Sequence, residues 1–415
     1  MAKKPKHNPR PWGFLDDFRG EGKYFNAEWP TLNEQFDITV SRYPDNKAFE
    51  AFTPKHEVFT YKEAQAIMKG IANKLYEMGI RHGDKVGLAG KNSPEWAIAY
   101  LAIAYAGATI VPVDYSLSDD VIAHLLTFAE AKVLFIDNEK IDRISLDIPK
   151  ISLDGDGENS LYNMQSDKTH KIELSTSKDI AAILFTSGTT GTPKGVMLSH
   201  ENLISDVWMA QGLMNIYDDD VFYAILPIHH AYTMLAVFLE SISSGAKLVF
   251  GKKLVVKQLL KELKQGEVTM FLGVPMLFNK LIAGIMKGVR EKGALVNGLI
   301  HAMMGLSGFL KKAFGIKVGK KWFNFLLKKV SLDKIRICIS GGGPLPASTF
   351  KQFNQLGIDF VQGYGLTETS PIINLNPIFD YIESSVGTTL PGVEEKIVDP
   401  DSDGNGLIYV KGSMV

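Results

Sequence analysis

The chain has 415 residues, 45% of them hydrophobic, 22% charged and 10% aromatic, with 45 Lys and Arg against 46 Asp and Glu and a net charge of −1. At about 100 to 200 residues per domain this length holds two to four folding units, and the composition excludes a disordered or collagen-like chain. Near neutrality leaves no global field to hold nucleic acid, so no nucleic-acid partner is expected. The single cysteine, Cys338, excludes an internal disulfide and a multi-cysteine metal site and fits a reducing, cytoplasmic setting.

Met1 to Arg10 is basic, but Pro11, Trp12, Gly13, Asp16 and Asp17 follow where a secretory leader needs an apolar run, so no leader is expected. Residues 96–113 are uncharged and close to the minimum length of a spanning helix. Ser93 as N-cap, Pro94 at the first helical position and Gly107 as a stop predict instead a buried helix followed by a β-branched strand at 109–113. Further strands are expected at 85–89, 133–136, 181–185, 221–226, 247–250, 269–273, 335–340 and 359–362, alternating with helices at 61–78, 118–129, 203–214, 232–243 and 346–356.

Such alternation calls for parallel sheets covered by helices on both faces. Nine strands are more than one sheet of average size holds. Residues 137–178 are polar and read as an irregular connection. After Pro377, short strand-like pieces separated by Gly387, Pro391-Gly392 and Asp399-Pro-Asp-Ser-Asp-Gly404 predict a small antiparallel or barrel unit. The expected fold class is α/β, with two helix-covered, mostly parallel sheets and a partial small β-barrel. Its expected division is an arm and the start of the second-sheet subdomain at 1–60, a first sheet subdomain at 61–200 ending in a phosphate loop, a second at 201–376 and the partial barrel at 377–415.

Chemistry concentrates in the run Ile183-Leu-Phe-Thr-Ser-Gly-Thr-Thr-Gly-Thr-Pro-Lys-Gly-Val-Met-Leu-Ser-His200. It leaves an apolar strand, passes through hydroxyl residues and glycines, and sets Lys194 after Pro193. Glycines let the backbone approach an oxyanion, successive N–H groups form an anion nest, and the hydroxyls and the lysine add donors and charge. The run reads as a phosphate grip. It is not a Walker A loop, because Lys194 is flanked by Pro193 and Gly195 rather than by Gly and Ser or Thr.

With two later runs, Ser340-Gly-Gly-Gly-Pro-Leu-Pro346 and Gln362-Gly-Tyr-Gly-Leu-Thr-Glu-Thr369, each directly after a predicted strand, the sequence resembles the adenylate-forming superfamily of acyl-CoA synthetases, peptide-synthetase adenylation domains and luciferases. The resemblance covers nearly all of the chain from Phe36. It implies that Thr186, Ser187, Gly188, Thr189, Thr190, Gly191 and Lys194 hold the phosphates of ATP. Gly341, Gly342, Gly343 and Pro344 would then lie against one face of the adenine, with Tyr364 stacking on the other and Gln362, Gly363, Gly365 and Thr367 completing the site. Glu368 and the Thr186 hydroxyl are the expected ligands of Mg²⁺, whose preference is for hard oxygen donors. Thr186, Lys194, His230 and Glu368 are the expected catalytic groups. The plainer readings make Tyr364 a core residue and Glu368 a surface ion-pair partner.

The implied reaction is attack of a carboxylate on the α-phosphate of ATP, followed by thiolysis of the acyl-adenylate by coenzyme A. Cys338 is expected to be a buried apolar residue rather than a nucleophile. In Pro227-Ile-His-His-Ala-Tyr232, His230 matches the position of the family's histidine or aromatic, whereas His229 is expected to be structural. No aspartate lies between Pro227 and Leu239 to pair with a substrate ammonium, so an apolar acyl tail is expected against His230, Tyr232, Gly273, Val274 and Pro275.

Residues 280–336 hold thirteen Lys or Arg against Glu291 and Asp333, and apolar helices are expected at 295–314 and 322–330. Long-chain acyl-CoA synthetases are similar in carrying an extended basic region here. Peripheral contact with the inner face of a membrane is expected from it, the plainer reading being a solvated charged face, and a homodimer stays open. The resemblance further implies that the family's C-terminal, lysine-bearing domain lies outside this chain. The expectation is therefore a long-chain fatty acid–CoA ligase acting on fatty acid, ATP and CoA. An acyl-carrier-protein ligase and a non-catalytic nucleotide- or acyl-binding module are the alternatives.

Overall fold

The computed structural model describes residues 29–186, 193–252 and 255–415. The first helix, α1 (Leu32–Arg42), starts at Thr31, whose hydroxyl accepts from the Glu34 amide while the Glu34 carboxylate accepts from the Thr31 amide. Strands β1 (Lys47–Ala51) and β2 (Glu57–Thr60) follow, and Thr60 with Glu63 repeats the reciprocal cap at the head of α2 (Tyr61–Glu77). Next come β3 (Lys85–Ala89), α3 (Pro94–Tyr105), β4 (Thr109–Pro112), α4 (Asp119–Phe128), β5 (Ala131–Ile136) and β6 (Lys150–Ser152). The Ser93 hydroxyl accepts from the Trp96 amide, so the predicted cap of α3 forms, and the predicted β-branched strand follows it.

Strands β7 (Ile180–Thr186) and β8 (Lys194–Ser199) complete a six-stranded sheet in the order β6-β5-β3-β4-β7-β8, parallel except for β8. After α5 (His200–Gln211), strands β9 (Val221–Ala224), β10 (Lys247–Phe250), β11 (Met270–Gly273), β12 (Ile337–Ser340), β13 (Asp359–Gly365), β14 (Ile372–Leu375) and β15 (Thr388–Thr389) join β1 and β2. They form a nine-stranded sheet in the order β15-β14-β13-β12-β11-β9-β10-β1-β2. Its middle, from β13 to β1, is parallel, and antiparallel pairings close both edges.

One hydrophobic core runs through both sheets, with Val86 and Ile110 of the first and Phe222, Leu248 and Leu272 of the second in the same cluster. Helix α3 lies at its centre against β1, β3 and β4, and all its residues are buried. The uncharged segment at 96–113 is thus a core helix and a strand, as expected.

Three expectations change in detail. The helix expected at 232–243 is instead α6 (Ala231–Thr233), a π-helical stretch at Met234–Leu239 and α7 (Glu240–Ser244). Beyond α8 (Val256–Gly266) and α9 (Pro275–Arg290), the expected helix at 295–314 is α10 (Ala294–Phe314). Its expected partner breaks into α11 (Gly319–Trp322) and α12 (Asn324–Lys329), ahead of α13 (Ala347–Gln355). Of the expected partial barrel only the hairpin β16 (Glu394–Val398) and β17 (Leu407–Lys411) stands apart. The strands before it turn back on β13 and extend the large sheet, so no barrel closes among the described residues.

Candidate functional site

Register brings Gly273, Ser340 and Gln362 level at the C-terminal ends of β11 and β12 and of the parallel part of β13. That is the edge of a parallel sheet outside which ligands settle. The phosphate run joins two antiparallel strands rather than a strand and a helix, with Thr186 and Lys194 paired across its base. Lys194 is exposed. Ser187, Gly188, Thr189, Thr190 and Gly191 lie outside the described residues. Helix α5 begins directly after β8, capped by Ser199 and Asn202.

Two cavities meet at this edge. One, of about 170 Å³, is bounded by His230, Tyr232, Ala236, Ser340, Gly341 and Tyr364. The other, of about 770 Å³, is bounded by Asp114, Thr186, Pro193, His229, His230 and Thr367. His230, Ala231 and Thr367 line both, so His230 stands where the smaller chamber opens toward the phosphate run. No Asp, Glu, Lys or Arg among the described residues lines the smaller chamber. The Ser340 hydroxyl on its wall is buried without a hydrogen-bond partner, a donor left free for a ligand.

Backbone approach explains the glycines in part. A Cβ on Gly341 would lie 2.9 Å from the Tyr232 ring, so this glycine makes room for the tyrosine as well as for any ligand. Gly342 has φ +73°, a conformation that disfavours other side chains, with Val274 at ordinary contact distance from where a Cβ would lie. A Cβ on Gly365 would overlap the Pro371 carbonyl oxygen, which lets β13 double back into β14. Gly343 and Pro344 follow in the same turn, and Tyr364, half-buried, faces the chamber. Gln362 is buried at the end of the parallel register, and Gly363 lines the chamber beside Tyr364.

Tyr232 is the principal wall. Its hydroxyl donates toward the carbonyl oxygens of Gly273 (3.4 Å) and Ile339 (3.2 Å), and burial pushes its pKa up, keeping it protonated. It therefore stands between the chamber and the Gly273-Val274-Pro275 turn. A Cβ on Gly273 would meet Phe278 and Leu277, while Val274 and Pro275 lie nearest Gly342 and Gly343. Those three expected pocket residues support the wall and do not face the chamber. Phe238 is core, packed edge-on to Trp96 and Tyr100. The π-helical stretch carries Ala236 to the chamber, and such single-turn irregularities recur at functional sites.

Asn92, not singled out in the sequence, fixes the histidine loop. Its side-chain amide donates to the carbonyls of Ala224 (3.0 Å) and Leu226 (2.8 Å), and its oxygen accepts from the Ile228 amide (3.0 Å). Burial holds His229 neutral, with its pKa pushed down to about 4, and Asp114 lies 3.8 Å away. Beneath the chamber Asp206 is fully buried and accepts from the amide of Ile372, a chamber residue. Asn92 lies in a polar turn before α3, and an acid such as Asp206 inside a helix pattern looks solvent-facing in sequence, so neither carried a signal.

Glu368 sits exposed on the 3₁₀ turn Thr367–Thr369, against which β8 packs. The Thr369 hydroxyl braces that turn by accepting from the Leu366 amide and donating toward the Pro371 carbonyl. Among the described residues no group of three or more His, Cys, Asp or Glu is placed to hold a metal. One carboxylate and one hydroxyl fit an ion held mainly by phosphate oxygens and water. Cys338 is buried, and burial pushes its thiol pKa up, as expected of an inert residue.

A sequence model described as AMP-binding enzyme matches residues 36–415. The chain is 25% identical to the long-chain-fatty-acid–[acyl-carrier-protein] ligase AEE15, chloroplastic, of Arabidopsis thaliana, over 96% of this chain and 64% of that protein. It is 28% identical to the same plant's long chain acyl-CoA synthetase 7, peroxisomal, over 90% of this chain and 58% of that one. The chain thus spans about three fifths of the length of these curated relatives. The crystal structure of ATP-bound MatB from Rhodopseudomonas palustris matches with a TM-score of 0.72 and 26% identity, over 93% of this chain and 71% of that one. With the two helix-covered sheets and the crevice at their strand ends, the match over 36–415 means that this chain belongs to the AMP-binding enzyme family.

Proposed function

We propose that the chain carries the carboxylate-activating site of a long-chain fatty acid ligase. A carboxylate oxygen attacks the α-phosphorus of ATP, the bond to the β-phosphate oxygen breaks, and pyrophosphate leaves. The thiol sulfur of coenzyme A then bonds to the acyl carbon of the adenylate, its proton is lost, and AMP departs. The observation that carries this reading is the uncharged chamber opening past His230 toward the phosphate run.

In this reading Gly341, Gly342 and Tyr364 sandwich the adenine, and Lys194 with the hydroxyl run binds the phosphates. Thr186 and Glu368 would hold Mg²⁺, which when bound offsets the charge of the triphosphate. His230 stands beside the reacting α-phosphate, and Tyr232 and Ala236 line the acyl end. Bringing an anion onto a polyanion is the electrostatic obstacle, and the charge of Lys194 with the donors of the hydroxyl run lowers it.

The test is pyrophosphate release by the protein at its natural length, with acids of about 4 to about 18 carbons. Each added methylene strengthens binding by about 0.8 kcal/mol until the chamber is full. A response flat from the shortest acid onward overturns the long-chain assignment in favour of a short or aryl acid. Tyr232→Ala, which opens the wall toward β11, is expected to move the optimum to longer acids. A carrier-protein phosphopantetheine as acceptor is a second reading, favoured by the similarity to the plant acyl-carrier-protein ligase. Running the same assay with CoA and with carrier protein as thiol separates the two.

A further inference from the structure

Helix α10 is apolar on both sides. Its inward residues Ile300, Met304, Ser307 and Lys311 are buried, and Lys311 is held by Asp359 at 2.8 Å and by Asn354. At about 100° per residue, Leu295, Leu299, Ala302, Leu306 and Phe309 fall within about 40° of a single line on the opposite side. Four of them are exposed by 87% (Leu295), 59% (Leu299), 51% (Leu306) and 60% (Phe309). Exposed Phe379 and Ile382 lie beside the end of the helix, where Lys317 sits over the Phe379 ring and Lys312 pairs with Glu383. Exposed cations flank the stripe, with Lys287, Arg290 and Lys292 before it and Lys312, Lys317 and Lys321 after it. A groove of about 460 Å³ opens beside Phe309, with Lys312 and Lys351 on its lining.

We propose that this outward face of α10 docks on an anionic lipid bilayer, with the helix lying in the interface. An apolar stripe of this length exposed to water calls for a covering surface, and its cationic flanks select a negative one. A second copy of the chain would bring like charge against like charge along the same stripe. No helix among the described residues is long and apolar enough to cross a membrane, so the contact is peripheral. The proposal stands apart from the acyl-site reading, since none of these residues lines the catalytic crevice.

The test is sedimentation of the protein with vesicles of phosphatidylcholine and phosphatidylglycerol in equal parts, against phosphatidylcholine alone. The wild type is expected to pellet with the mixed vesicles and to be released by salt. Leu299→Ser with Leu306→Ser and Phe309→Ser should weaken binding by about tenfold or more. Lys287→Gln with Arg290→Gln and Lys292→Gln should weaken it by about tenfold to a hundredfold at low salt. Every changed residue is exposed, so the unfolding midpoint of both variants is expected to match the wild type. Failure of the wild type to pellet, or equal pelleting by the serine variant, overturns the proposal. So does a wild-type dimer in solution that the serine variant turns into monomer, because the stripe then belongs to a second copy.

Discussion

Helices α3 and α10 are both predominantly apolar and meet opposite fates. All of α3 is buried, whereas only four residues of the longer α10 are. Helix α3 is threaded between the two sheets, with α2 and α1 closing its remaining sides. Helix α10 enters the chain after β11, packs on α9 and α13, and meets nothing on its far side among the described residues. Hydropathy marks both for removal from water, but only topology decides what removes them.

The sharpest test of that contrast is truncation at matched apolar sites. Trp96→Ala in α3 should cost about 3 to 5 kcal/mol, because the surrounding rings relax only partly around the hole. Leu295→Ala in α10 should stay within about 0.5 kcal/mol. Denaturant midpoints read both, and similar losses would erase the distinction.

Inward-facing charge sharpens it further. Glu240 accepts from the Gln211 amide at 2.8 Å, has no cation partner among the described residues, and burial pushes its pKa up to about 8. The folded state therefore holds a proton that the unfolded chain releases above its ordinary carboxylate range. Stability falls as pH rises from about 4.5 to about 8, by up to about 1.4 kcal/mol per pH unit. Glu240→Gln should flatten that slope, and unfolding midpoints at a series of pH values measure it.

Lys311, the inward charge of α10, has Asp359, and Asp359 also has Lys317 at 2.6 Å. Lys311→Met should therefore cost about 1 to 3 kcal/mol, with Lys317 still neutralising the acid. A larger loss in thermal or denaturant unfolding would show that Lys317 does not substitute. The smallest stability effect is expected at exposed Glu368, where Glu368→Gln should change folding by less than about 0.5 kcal/mol. Mg²⁺-dependent nucleotide binding, read by calorimetry, should nevertheless weaken. Equal losses in binding and folding would make the residue structural.

Local punctuation carried what the sequence revealed. Ser93, Pro94 and Gly107 marked α3 and β4, and the glycine-rich runs at 340–346 and 362–369 fall at the ends of β12 and β13. Strand β8 was hidden because its short Gly-Val-Met-Leu piece has too little β-branched character to stand out from an approach to α5. Its identity comes from pairing with β7. Asn92 and Asp206 gain their roles from carbonyls and amides more than a hundred residues away, and no spacing rule reaches that far. The π-helical stretch follows an ordinary helical pattern in sequence, and it packs between β9 and α5.

Strand β1, one place in from the edge of the large sheet, sets a clock on the ribosome. Phe49 lies opposite Leu248 in the nine-stranded sheet, so its partner is made 199 residues later. At about 5 to 20 residues per second that wait lasts roughly 10 to 40 s. Until then β1 has only β2 beside it, and a two-stranded hairpin is marginal in water. Throughout that interval Ala48, Phe49 and Ala51, all buried in the finished protein, are presented on an open strand edge, the surface on which nascent chains pair wrongly with one another.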